Sequence, residues 1–134
     1  MDRPDRIRWV IGGIRPDSHR LPARSDAPRF VATGEGSVWV HNQGDSTVQR
    51  IDGATGELLA TIETGLPKGA GDIDVGGGYV WLNAPYQVVV AQIDPETNKL
   101  VHRYIGKIGG EVIRFGSDSL WVGGPSIRRI SPPK

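Results

Sequence analysis

Three tryptophans, Trp39, Trp81 and Trp121, recur at one position of a repeat, 42 and 40 residues apart. Three segments align around them. The first runs from Phe30 and reads FVATGEGSVWVHNQGDSTVQRIDGATGELLATIETG. The second runs from Asp72 and reads DIDVGGGYVWLNAPYQVVVAQIDPETNKLVHRYIG. The third runs from Val112 and reads VIRFGSDSLWVGGPSIRRIS. A fixed period of this length marks a chain of stacked supersecondary units, because one unit alone leaves an apolar face uncovered.

Each copy divides into short strands at turn residues. Strand A is expected at 30–33, 72–75 and 112–115. Gly34-Glu35-Gly36, Gly76-Gly77-Gly78 and Gly116-Ser117-Asp118 then form a tight turn, where glycine supplies a positive φ. Strand B is expected at 37–41, 79–83 and 119–122, strand C at 46–52, 87–94 and 126–131, and strand D at 57–63 and 99–105. Strand B alternates, with Val38 and Val40 on one face and Ser37 and Trp39 on the other. In the C–D turn Asp52 and Asp94 take the first position, where a carboxylate bonds backbone two residues on. Gly56 and Asn98 fall where a left-handed residue closes that turn. No stretch keeps helical apolar spacing, so no helix is expected. Four-stranded units of about 40 residues make an all-β chain of β-propeller blades. The chain is expected to be one domain, 1–134, with blade 1 at 30–71, blade 2 at 72–111 and blade 3 at 112–131.

Composition narrows the partners. A hydrophobic share of 37%, with 19 glycines and 10 prolines, suits a turn-rich β protein and is too apolar for a disordered chain. The net charge of +1 argues against a nucleic-acid partner. Charge is uneven: residues 1–29 carry +3, 30–112 carry −5 and 113–134 carry +3. The absence of cysteine excludes disulfides and thiolate metal sites. Trp9-Val10-Ile11 is too short for a signal-peptide core or a membrane span, so a soluble, unexported chain without a membrane partner is expected; as written it reads as cytoplasmic.

The residues Gly36-Ser37-Val38-Trp39-Val40, Ile51-Asp52, Thr55-Gly56, Gly78-Tyr79-Val80-Trp81-Leu82 and Ile93-Asp94 resemble the blade of the YVTN-type, or YncE-like, bacterial β-propellers. They also resemble the related propeller of virginiamycin B lyase. The resemblance extends over nearly the whole chain from Phe30 on. It implies a propeller, a fold that hosts enzymes, binding proteins and scaffolds alike. Lyase-like blades tend to read W-F-T-E where this chain has Trp39-Val40-His41-Asn42, Trp81-Leu82-Asn83-Ala84 and Trp121-Val122-Gly123-Gly124. The acidic residue is missing in all three, so a His/Glu set holding a divalent cation is not formed.

In a propeller the B–C and D–A loops open on one face around the channel, where ligands bind. His41, Asn42, Asn83 and Tyr86 lie in B–C loops, and His19 lies in a long polar loop from Gly12 to Pro28. Strand A lines the channel, which brings Asp72, Asp74, Glu111 and Arg114 toward it. These nine residues are the candidate ligand site. Two histidines without a placed carboxylate do not make a metal site, and no cofactor or catalytic residue is assigned. The expected function is a non-catalytic binding or scaffold module that takes a small molecule or peptide on its loop face. A lyase or hydrolase using His41, His19 and channel acids is an alternative. A minimal propeller fragment without activity of its own is another.

Three blades do not close a ring, and the third copy ends at Ser131-Pro132-Pro133-Lys134 before a strand D. Residues 6–12, Arg6-Ile7-Arg8-Trp9-Val10-Ile11-Gly12, match Leu100-Val101-His102-Arg103-Tyr104-Ile105-Gly106 and precede copy one as a strand D should. They are expected to complete blade 3 of a partner chain. The expected assembly is a strand-exchanged homodimer closing a ring of six blades, with a nine-bladed trimer as the alternative.

Overall fold

The computed structural model describes residues 27–69, 71–84, 88–106 and 111–132. Among these residues there are eleven strands and no helix. The first sheet holds β1 (Pro28–Gly34), β2 (Ser37–Asn42), β3 (Thr47–Asp52) and β4 (Leu58–Glu63) in that order. The second holds β5 (Ile73–Gly76), β6 (Tyr79–Leu82), β7 (Val88–Asp94) and β8 (Lys99–Ile105). The third holds β9 (Val112–Gly116), β10 (Ser119–Gly123) and β11 (Ile127–Ile130). Every pairing is antiparallel. β1 packs beside β5 and β5 beside β9, so the first strand of each sheet forms an inner row. This is the architecture of propeller blades. Expected strand 6–12 and candidates His19 and Tyr86 lie outside the described residues.

The walls between sheets are the core. Ala32, Trp39, Val48 and Ile62 of the first sheet meet Ile73, Val80, Leu82, Ala91 and Ile93 of the second. Trp81 and Val90 of the second meet Ile113, Leu120 and Val122 of the third, with Phe115 and Tyr104 packed alongside. The Trp81 and Phe115 rings stack, centroids 6.2 Å apart and planes 7° off parallel. In each sheet the indole Nε1 donates to the last carbonyl of the preceding strand: Trp39 to Gly34 at 3.1 Å, Trp81 to Gly76 at 2.9 Å and Trp121 to Gly116 at 3.0 Å. The first two glycines also clear space, since a Cβ at Gly34 would meet the side chain of Val75 and one at Gly76 that of Phe115.

The C–D turns form as the sequence leads one to expect. Asp52 Oδ1 accepts from the backbone N–H of Ala54 and of Thr55, both at 2.8 Å, and these bonds hold the carboxyl below its ordinary range. Asp94 Oδ1 accepts from Glu96 N at 2.9 Å. Gly56 has φ 76° and Asn98 φ 56°, the left-handed closing position in both copies. Gly56→Val is therefore expected to lower stability by about 1–2 kcal/mol, because a β-branched side chain resists that conformation. Urea midpoints of the two proteins measure it, and an unchanged midpoint would contradict the turn assignment.

Candidate functional site

Seven of the nine sequence candidates lie among the described residues; β2 ends on His41 and Asn42, and β6 is followed by Asn83. His41, Asn42 and Asn83 are each 0% exposed. All three are withdrawn from solvent, against the expectation of an open loop face. The His41 ring donates from Nδ1 to the Gly71 carbonyl at 2.6 Å; a carbonyl only accepts, so Nδ1 carries the proton. Gly71 N donates to the Asn83 carbonyl at 3.0 Å, and Asp72 N to Asn83 Oδ1 at 2.6 Å. Asp72 Oδ2 accepts in turn from Ile113 N at 3.2 Å and from the Arg114 guanidinium in an ion pair. One polar path thus crosses all three sheets.

The structure brings His41, Asp72, Asn83 and Arg114 into this path. Asp74 makes a parallel link, its Oδ2 accepting from Phe115 N at 2.7 Å. Asn42 stays within its own hairpin, donating to Thr47 Oγ1 at 3.1 Å and Gln49 Oε1 at 3.3 Å. Glu111 is exposed, and its backbone N–H donates to the Gly123 carbonyl at 2.7 Å, outside this path. The Arg114 side chain is 60% exposed, against 10% for Asp72. Burial pushes the His41 pKa below its ordinary 6.5, while the Gly71 carbonyl, Asp72 and Asp45 pull the other way. Among the described residues no group of three or more His, Asp or Glu is placed to hold a metal ion.

Two open grooves lie away from this path. One of about 510 Å³ runs along the outer strands β4 and β8, lined by Thr61, Glu63, Lys99 and Arg103 among others. Arg103 crosses between the sheets there, donating to the Thr64 carbonyl at 2.7 Å. Another of about 420 Å³ lies on the first sheet, lined by Thr33, Gly34, Gly36, Ser37, Val38, Gly53 and Ala54.

Sequence reasoning missed Arg50. Its guanidinium lies 4.6 Å from the centre of the Trp39 ring, a cation–π contact. Arg50 Nε donates to Ser37 Oγ at 2.8 Å. Its Nη1 crosses to the second sheet and donates to the Pro95 carbonyl at 2.6 Å and Asn98 Oδ1 at 2.8 Å. Arg129 copies the local half of this set: its guanidinium is 5.7 Å from the Trp121 ring, and Nε donates to Ser119 Oγ at 2.9 Å. The signal was present, because Ser37, Trp39 and Arg50 recur as Ser119, Trp121 and Arg129, whereas copy two has Tyr79, Trp81 and Gln92.

No protein-family model matches the chain, and no curated protein matches it. Among solved structures it is similar to hydrazine synthase of Kuenenia stuttgartiensis, with a TM-score of 0.62 and 16% identity over 76% of this chain and 32% of that one. It is also similar to the computationally designed protein Ika8, with a TM-score of 0.64 and 17% identity over 83% of this chain and 35% of that one. The chain thus spans about a third of the length of these two structures. At such identities the likeness is one of fold: the chain is an all-β module of propeller blades.

Proposed function

We propose that the chain is a non-catalytic binding or scaffold module of the YVTN-like kind, taking a small molecule or peptide on the loop face around its channel. The observation that supports this most is the use already made of its acid–base groups. His41 is fully buried with Nδ1 committed to Gly71. Asp72 has Oδ1 on Ile73 N at 2.9 Å and Oδ2 on Ile113 N and Arg114. General acid–base chemistry needs a group within reach of substrate, and these groups tie sheet to sheet instead. A wall pinned in this way makes a rigid rim and leaves ligand contact to exposed side chains such as Arg114 and Glu111.

The ring itself is completed, on this reading, by a second copy. Residues 6–12 of each chain add the fourth strand beside β11 of the other, giving a homodimer of six blades. Among the described residues the third sheet has three strands with β11 at its edge, where a fourth strand can pair, and this supports it.

Three measurements test these readings. If His41 is a buried pin, it must take up a proton when the chain unfolds in mild acid. Its folded pKa lies below 6.5, so its contribution to stability is complete above about pH 6.5 and is lost as pH falls toward the folded value. Urea midpoints at about pH 7.5 and 5.5 are expected to differ in the parent and to differ less in His41→Gln; equal pH dependence would contradict the pin. For the binding face, the ¹⁵N-labelled chain is titrated with a pool of small carboxylic acids and short peptides. Hits are expected to shift the amides of Glu111 and Arg114 together with those of Asp72 and Asn83 beside them, and hits confined to β8 residues such as Arg103 would contradict the reading. For the ring, light scattering is expected to give a dimer for the full chain and a weaker one without residues 1–12. A folded full-length monomer, or an equally stable truncated dimer, would overturn it.

A further inference from the structure

The two walls inside the chain define what a third wall would require. In each, one sheet offers its tryptophan face and the next sheet covers it, leaving Trp39 0% and Trp81 1% exposed. The corresponding face of the third sheet is bare, with Trp121 38%, Val112 46% and Ile127 80% exposed. The complementary face belongs to the first sheet, exposed on its inner strand β1 and its outer strand β4. Strand pairing sets Val31 opposite Val40 and Thr33 opposite Val38, on the side away from Trp39 and the second sheet. Val31 there is 63% exposed and Leu58 38%.

Three details fit these two faces to each other. Arg50 of the first sheet crosses its wall to the Pro95 carbonyl. Arg129 is held in the same way on Ser119 and Trp121, and the residue of the first sheet that matches Pro95 in the repeat is Gly53, which lines the groove of about 420 Å³ with Thr33 and Val38. The glycine seats agree as well. Gly34 is occupied by Val75 and Gly76 by Phe115, whereas a Cβ at Gly116 would meet nothing within 4 Å. Thr33 is the first-sheet residue at the matching position. Charge agrees too, since residues 30–64 carry −4 and residues 112–132 carry +2. Two third sheets packed face to face would instead oppose Arg114 and Arg129 with their own copies.

We propose that the Trp121–Arg129 face docks on the Val31–Val38 face of a second copy, with Arg129 donating to the Gly53 carbonyl of that copy. The contact is head-to-tail, and made twice it closes on a two-fold axis. The inference rests on the homodimer reading and specifies the surface that reading needs.

Ile127→Asp and Val31→Lys test it, because both positions are exposed within one chain and neither change should disturb its own fold. Each alone is expected to raise the dimer dissociation constant at least about tenfold, close to 1.4 kcal/mol, by sedimentation velocity. An equimolar mixture of the two is expected to recover the dimer: one wall of the mixed ring is then native, and the other carries two new charges of opposite sign. Single variants that dimerise like the parent, or a mixture no better than its components, would overturn the docking while leaving the homodimer in place. A monomeric parent would overturn both.

Discussion

A lone blade has two apolar faces and no means of covering either, and the rest of this molecule follows from that. Each tryptophan is anchored by its own Nε1 on the glycine carbonyl at the end of the preceding strand, at 2.9–3.1 Å in all three sheets. The anchor fixes a large ring on its sheet, and the following sheet buries it at Trp39 and Trp81. Replacing a buried tryptophan by alanine typically costs about 3–5 kcal/mol, so two such walls dominate the stability of a chain this small. The first two of these glycines admit Val75 and Phe115 at close range. One turn residue thus serves as both hydrogen-bond acceptor and packing seat.

Polar side chains decide how the sheets are aligned once the walls have formed. Arg50 reaches across the first wall to Pro95 and Asn98, Arg103 to Thr64, and Asp72 and Asp74 across the second to Ile113 and Phe115. All of these join sheets rather than strands of one sheet, and most use a backbone group on one side. Apolar contact alone tolerates sliding. The Ile113 N–H is buried, and leaving it without its acceptor would carry a desolvation penalty of about 1–3 kcal/mol, which favours one alignment of the second wall. Function on the loop face would inherit that rigidity, with His41, Asn83 and Asp72 setting where Arg114 stands.

The strands and turns were legible because their signals are local. Gly56 and Asn98 take the left-handed conformation expected from their place in the turn, and strand bounds fall within two residues of those read from the repeat. Asp72, expected to open strand A, precedes β5 and spends its carboxylate on Ile73, Ile113 and Arg114. Burial of the candidate site was not legible. His41 and Asn83 stand beside loops in sequence, but their partners Gly71 and Asp72 lie 30 and 11 residues away, and only the packed sheets bring them together. Arg50 was missed for the same reason, since its acceptor Pro95 belongs to the next copy. Side chains whose partners sit one repeat onward have no local pattern, and aligning copies one and three on the serine, tryptophan and arginine together is what exposes them.

The central claim is that every tryptophan of the repeat is made to be covered by a following blade. Fluorine NMR of the chain labelled with 5-fluorotryptophan, assigned by single replacements, measures this through the solvent isotope shift of each resonance. Trp39 and Trp81 are expected to show no shift between light and heavy water at any concentration. Trp121 is expected to show one in dilute samples and to lose it as concentration rises. A solvent-exposed Trp39, or a Trp121 whose exposure ignores concentration, would contradict the account.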